Sequence, residues 1–460
     1  MNKADGKIMY NWAKKLFPIN RSVSAPGNEI TLQFLRRQIT KLKIKSFQSG
    51  KVVYGWKIPK QWHLRDAYIA DDKNKKIIDF NKNNLHVLNY SQSIKKKISY
   101  KQLIKNLYFI KKQPTAIPYI TSYYSKNWGF CLSYNQFKKL RKKTFYNINI
   151  NSKFKKGKMF YGEVFIKGRS SKEILLSTNI CHPSMGNNET SGIVVTTRLT
   201  QWLENFKNRK YSYRILFIPE TIGSIAYIQK NLNKLRKNVV AGFVVVCVGV
   251  KNQISYLASK KGNTLSDTAA IYTLKKNKKK FQKYSFFDRG SDERQFCSKK
   301  VELPVCSIMS SKYGEYKEYH TSLDNLNFIS PEGLLQSYDL IKKTILTIEK
   351  NLIKKNKEKY YIKNISINNS PLKINRDYKL NKIYKNIYNY PCEPKLSNYG
   401  LRKKVSNKLN YDFDKLVLNV LLLSDGKTSV NNISKILGQK NNNIYKVSEL
   451  LRKSKLLKCI

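Results

Sequence analysis

The sequence predicts an α/β protein: a mixed sheet flanked by helices, a small inserted β-rich domain near the N-terminus and a winged helix at the C-terminus. Three observations predict it. Between about 140 and 345, short apolar runs alternate with helical stretches, the order that places helices over a largely parallel sheet. Residues 48–110 instead hold brief β-type runs broken by Asp and Asn, and the last fifty residues divide into three short apolar helices.

From about residue 8 to 46, apolar and basic residues recur with helical spacing, as in Ile30-Thr31-Leu32-Gln33-Phe34-Leu35, and this is the helical opening of the main domain. The runs Val52–Ile58, Ala67–Ala70 and Lys76–Phe80 make residues 48–110 an inserted β module, so the core comprises 1–47 and 111–350. Within it, Phe160–Ile166, Glu173–Thr178, Tyr213–Ile218 and Ala241–Val248 read as buried strands, with helices at Gly192–Phe206 and Ile222–Leu235. In such a fold chemistry sits in the loops after the strands. Lys/Asn-rich text makes 351–400 a connector. In the unit 401–460, Phe413–Leu423, Val430–Leu437 and Ile444–Leu451 are the three helices, Ser424–Lys427 is a turn and Lys455–Lys458 a terminal strand, the pattern of a winged helix.

The 460 residues include 89 Lys/Arg against 29 Asp/Glu, a net charge of +60. Such a balance ordinarily points to polyanions. Here the basic residues are mostly Lys, spread along the whole chain among Asn, Ile and Tyr, which predicts a solvated lysine surface. The third C-terminal helix carries only Lys446 before Arg452 and Lys453, so a protein partner is expected at the winged helix and nucleic acid is not. Seven cysteines without a C-x-x-C pair exclude a disulfide framework and a thiolate zinc knuckle. No 18-residue apolar run and no leader-like N-terminus occur. A cytoplasmic, homo-oligomeric protein without membrane contact is expected.

Only four histidines occur, and two stand in the most motif-like stretches, Cys181-His182-Pro183-Ser184-Met185-Gly186-Asn187-Asn188-Glu189 and Glu318-Tyr319-His320-Thr321-Ser322-Leu323-Asp324. A hydrolytic metal site needs ligands that leave one position open and a carboxylate that takes a proton from water. His182 and His320 are the candidate ligands. Asn188 and Glu189, before the helix at Gly192, could turn oxygens toward a metal on His182. Glu220 follows a strand expected beside the first, which places it near His182; local sequence supports equally a carboxylate stabilised by a helix N-terminus. Cys181 reads as a small apolar residue ending a buried strand.

These phrases, with Lys261-Gly262-Asn263-Thr264-Leu265, Asp288-Arg289-Gly290-Ser291-Asp292-Glu293-Arg294, Ser311-Lys312-Tyr313-Gly314-Glu315-Tyr316 and Trp62-His63-Leu64-Arg65-Asp66, resemble the bacterial aminopeptidase-like proteins found beside polysaccharide-biosynthesis genes. Those are distant relatives of di-zinc aminopeptidases and glutaminyl cyclase. The resemblance spans nearly the whole chain and implies a zinc-exopeptidase core. It implies that His182 is the first histidine ligand, Asn188 stands for the bridging carboxylate, Glu220 is the general base, Thr221 stands for a glutamate ligand and His320 is the last histidine. It also implies Asp292, Arg289 and Tyr313 beside the substrate; Asp292 would bind an amine or orient His320, or alternatively pair at the surface with Arg289 or Arg294. An aspartate usual after Cys247-Val248-Gly249 is Val250 here. With Asn188, Thr221 and Val250, three anionic ligands are missing, so one zinc ion is expected, on His182, His320 and either Glu189 or Asp292. Two functions remain open: an aminopeptidase-like hydrolase cleaving an amide next to a free amine or on a small conjugate, and a degenerate binding protein that signals through the winged helix.

Overall fold

A computed structural model describes residues 3–277, 280–352, 378–401 and 411–460. Its centre is an eight-stranded mixed sheet in the order Lys43–Gln48, Lys158–Ile166, Ser212–Ile218, Glu173–Asn179, Val239–Val244, Val305–Met309, Ser255–Leu257 and Gln282–Tyr284. The middle strands are parallel: Glu173–Asn179 runs between Ser212–Ile218 and Val239–Val244, and the latter pairs with Val305–Met309. Every residue of Glu173–Asn179 and Ser212–Ile218 is buried, as central parallel strands covered on both faces require. One apolar cluster joins the helices Lys3–Leu16, Ser191–Asn205 and Pro331–Glu349 to one face of the sheet. The helix Ile222–Asn238 packs with the other face through Ile225, Tyr227 and Ile228.

An ionic group lies inside this apolar frame. Arg214 reaches Glu163 at 2.5 Å and Glu173 at 2.6 Å, one carboxylate from each neighbouring strand. The Tyr227 hydroxyl accepts from Arg214 at 3.0 Å and donates to Glu163. Burial works against the Arg214 charge, but Glu173 and Tyr227 outweigh it and raise its pKa, so the group stays ionised and cross-links three strands.

The inserted module is larger than residues 48–110. Its four-stranded sheet runs Lys76–Asp79, Gln61–Ala70, Phe145–Lys155, Ile94–Ser99. The strand Phe145–Lys155 is the shared partner, with Trp62 opposite Phe154 and Ile98 opposite Tyr146. It belongs there because Tyr146, Ile148 and Ile150 alternate with less buried Asn residues, the period-two pattern of a sheet with one covered face. The connector drawn at 351–400 also needs correction. Residues 353–377 lie outside the described residues, but Ile383–Asn386 is the central strand of a three-stranded sheet with Asp425–Ser429 and Leu457–Cys459. The expected turn at Ser424–Lys427 is thus mostly strand. The helices Tyr411–Leu423, Val430–Leu437 and Asn441–Lys453 complete a winged helix. Among the described residues, no helix is long and apolar enough to cross a membrane.

Candidate active site

Parallel pairing brings the reactive loops together. Asn179 lies opposite Ile218 where the two central strands end, so the residues that follow, His182 and Glu220, emerge side by side. His182 Nε2 is 3.8 Å from Glu220 Oε2. The His320 ring, on the loop beyond Val305–Met309, has its centroid 5.3 Å from that of His182. Tyr119 flanks both imidazoles at 5.3 Å, and Tyr319 stacks on His320 at 4.0 Å. His182, Glu220 and His320 all line one cavity of about 850 Å³.

His182 is fixed from behind. Its Nδ1 lies 2.8 Å from Glu189 Oε2, and its backbone N–H donates to Glu189 Oε1 at 3.0 Å. Arg21 supports the same group, donating to the His182 carbonyl at 3.1 Å with Nε 4.0 Å from Glu189. Both Glu189 oxygens therefore contact His182, and the carboxylate orients the imidazole. A carboxylate on one ring nitrogen sets the tautomer so that the other nitrogen faces the cavity. Burial opposes charge on His182, yet Cys181 and Glu189 outweigh burial and raise its pKa. Cys181, His182 and Glu189 have ligand atoms within 4.8 Å of one another. Burial pushes the Cys181 thiol up to about 11.

Glu220 is aimed by strain. Thr221 sits at φ 63°, ψ −78°, and the Ile222 N–H donates back to the Glu220 carbonyl at 2.8 Å, a γ-turn that a β-branched residue adopts at a cost of about 1–3 kcal/mol. The cost is offset by Asp292, which accepts from the Thr221 N–H at 2.8 Å and from Ser224 Oγ at 2.5 Å. Glu220 Oε1 accepts from Asn179 at 3.1 Å. Burial raises the Glu220 pKa while His182 works the other way. Burial and the nearby Glu220 charge push Asp292 up to about 8.

The remaining expected site residues take structural roles. Asp292 is fully buried against the turn at Thr221, so it reaches neither a substrate amine nor His320. The Tyr313 hydroxyl donates to Glu293 and accepts from the Gly290 N–H at 2.9 Å, which shapes the 289–293 loop. Arg289 borders the cavity, but its guanidinium is taken by Glu393 at 2.9 Å, the Leu418 carbonyl at 3.2 Å and Asn419. Asn188 turns its amide oxygen to Cys247 Sγ at 3.7 Å, and its backbone N–H donates to Asp324 at 3.0 Å, beside that of Asn187 at 2.5 Å. Asp324 thereby holds the π-helical turn Gly186–Thr190, and burial pushes it up to about 6. Val250 lies away from this point, its N–H on Ser310 at 3.1 Å; the residue facing Asn188 is Cys247.

Sequence reasoning missed the outer wall of the cavity. Residues Glu393–Asn398 and, from the helix Tyr411–Leu423, Asp412, Asp414, Lys415, Leu418 and Asn419 line it, together with Trp56, Tyr123 and Tyr124. Glu393 is its clasp, binding Arg289 and, at 2.5 Å, Arg294. Burial opposes the Glu393 charge, yet the two arginines outweigh it and hold its pKa below the usual range. Glu393→Gln is expected to cost about 2–3 kcal/mol at the contact, less than a fully uncompensated buried charge. Hydrogen exchange should then quicken in 393–398 while the strands Glu173–Asn179 and Ser212–Ile218 keep their protection.

The family model described as a domain of unknown function, DUF4910, matches residues 10–351. The chain belongs to the DUF4910 family. A winged helix-turn-helix model matches residues 382–459, which agrees with the C-terminal sheet starting at Ile383. A Clostridium acetobutylicum protein, described as a candidate polysaccharide biosynthesis protein with an aminopeptidase-like domain, is 37% identical over 99% of this chain and 97% of its own. The crystal structure of a candidate peptidase from the same organism superposes with a TM-score of 0.73 at 36% identity, covering 100% and 97% of the two chains. The zinc aminopeptidase BSAP of Bacillus subtilis shares the fold alone, with TM-score 0.54 and 11% identity over 74% of this chain and 94% of that one. This DUF4910 member is therefore a peptidase-like α/β core followed by a winged helix.

The donors of this DUF4910 site fit one metal ion and not two. The His182 and His320 rings, with centroids 5.3 Å apart, border one space that could take an ion between them, and Glu220 Oε2, 3.8 Å from His182 Nε2, stands beside that space as the base. Where a second ion would need anionic oxygens, Asn188 meets Cys247, a thiol that burial pushes well up, and Thr221 meets Asp292 through its backbone.

Proposed function

We propose that this protein hydrolyses an amide bond of a small conjugate with the help of a single zinc ion. The observation that carries the reading is the pair His182 and Glu220, 3.8 Å apart at the end of two parallel strands, with the far nitrogen of His182 locked by Glu189. His182 Nε2 and His320 would hold the zinc, which when bound supplies a Lewis acid to polarise the amide carbonyl. Glu220 takes the proton of the attacking water and delivers it to the leaving amine. Its burial supports this exchange, because a carboxyl with a raised pKa is a better acid in the second step. Glu189 keeps the imidazole oriented, and Tyr119 and Tyr319 hold the two rings in place.

A cavity of about 850 Å³ walled by the C-terminal unit favours a small molecule over a long chain. The engagement of both Asp292 oxygens removes the carboxylate expected to bind a free amine, so a conjugate is favoured over a peptide N-terminus. The name of the Clostridium relative suggests that such a conjugate belongs to polysaccharide biosynthesis in the cytoplasm. A second reading, a ligand-binding protein without turnover, draws on Asn188 and Cys247 standing together where a second metal would need acids.

The test is the metal content of protein purified without chelator, in wild type, His182→Ala and His320→Ala, followed by an amide-substrate screen. One equivalent of zinc in wild type, lost in both variants, is the expected result. No zinc in wild type even after zinc is supplied would overturn the hydrolytic reading in favour of the second.

A further inference from the structure

We propose that the outer end of the cavity is an anion subsite, built on Lys395 with Lys126 beside the same aromatic wall, which takes a carboxylate or phosphate group of the ligand. This rests on the cavity being the substrate site and adds to that reading the chemical class of the substrate's far end.

The cations around the cavity divide into two kinds. Arg289 and Arg294 are bound to Glu393, and Lys415 is bound to Asp288 at 2.7 Å. Lys395 has no carboxylate in ion-pair range among the described residues. Its ammonium lies 3.1 Å from the centre of the Tyr124 ring, and the side chain is half-buried. Desolvation pushes its pKa down to about 8. Partial burial of an amine without a counter-ion is unfavourable, and contact with an aromatic face recovers only part of that loss. An oxyanion arriving in the cavity would supply the missing partner as a charge-assisted hydrogen bond.

The surroundings suit such a group. Tyr124 is held by its hydroxyl on the Lys57 carbonyl at 2.9 Å, and Trp56 meets it edge-on at 6.5 Å. Lys126, two residues on, lines the cavity with Ser397 and Asn398, which can donate further hydrogen bonds. The carboxylates Asp412 and Asp414 also line the cavity, in the first turn of the helix Tyr411–Leu423.

The test is isothermal titration of the full chain with inorganic phosphate, with glutarate and with its neutral diamide, in wild type, Lys395→Met and Lys395→Arg. Saturable binding of phosphate or glutarate should weaken at least tenfold in Lys395→Met and be largely retained in Lys395→Arg, with the diamide binding worse than glutarate. Phosphate and glutarate distinguish a phosphate site from a carboxylate site. An anion held elsewhere on so basic a protein would bind wild type and Lys395→Met alike, and that result, or no saturable binding to wild type, overturns the proposal. The unliganded melting temperature checks that the variants are folded. Anion binding that depends on Lys395 without turnover of any amide would leave the subsite standing and remove the hydrolytic reading. Turnover with no dependence on Lys395 would do the reverse.

Discussion

Glu220→Gln is expected to abolish amide hydrolysis, lowering kcat by about 10²–10⁴, the usual contribution of a positioned acid–base group. The substitution keeps the shape of the side chain and the contact with Asn179. It removes only the ability to accept and return a proton. Binding of substrate should change little, so the loss should fall on kcat and leave KM nearly intact. Stability should not fall, because burial already raises the pKa of Glu220 and a neutral amide avoids that penalty. Zinc content and melting temperature measured beside activity separate this outcome from a collapsed site. A variant with wild-type turnover would exclude Glu220 as the base.

Arg214→Leu is expected to destabilise the core by about 3–5 kcal/mol, the cost of stranding buried charges. Glu173 and Glu163 would lose the guanidinium that lies within 2.6 Å of each. Lys45 still reaches Glu163, but Glu173 is left in the middle of the sheet with only Asn238 at 3.4 Å. Chemical denaturation measures the loss. The triple variant Arg214→Leu, Glu163→Leu, Glu173→Leu should recover much of it, since an apolar replacement of the whole group removes the stranded charges. A single Arg214→Leu change within 1 kcal/mol of wild type would mean that water reaches these carboxylates.

The central strands, their helices and the pair His182 and Glu220 were legible in the sequence for one reason. Continuous apolar runs ending in polar loops announce parallel strands, and parallel neighbours deliver their following residues to one edge. What escaped depends on contacts between distant segments. Arg21 lies outside any periodic pattern, yet it buttresses His182 from 161 positions away. Glu189 and Asp292 have the residue types of ligands, and only the positions of the His182 backbone N–H and the Thr221 N–H reveal that they also support the loops bearing His182 and Glu220. Glu393 stands in lysine-rich text that reads as a connector, although its two arginine partners come from 99 and 104 positions earlier. The strand Phe145–Lys155 carried its alternating signal openly, but a sheet insertion whose last strand follows a long excursion cannot be bounded from local pattern alone.

The outer wall gives this protein a defined order of maturation. During synthesis from the N-terminus, the loops bearing His182, Glu220 and His320 are complete well before Glu393 and the helix Tyr411–Leu423 have left the ribosome. The winged-helix unit adds Glu393–Asn398 and one face of the helix Tyr411–Leu423 to the cavity wall, so a chain cut before residue 378 is expected to keep His182, Glu220 and His320 but to lose that wall.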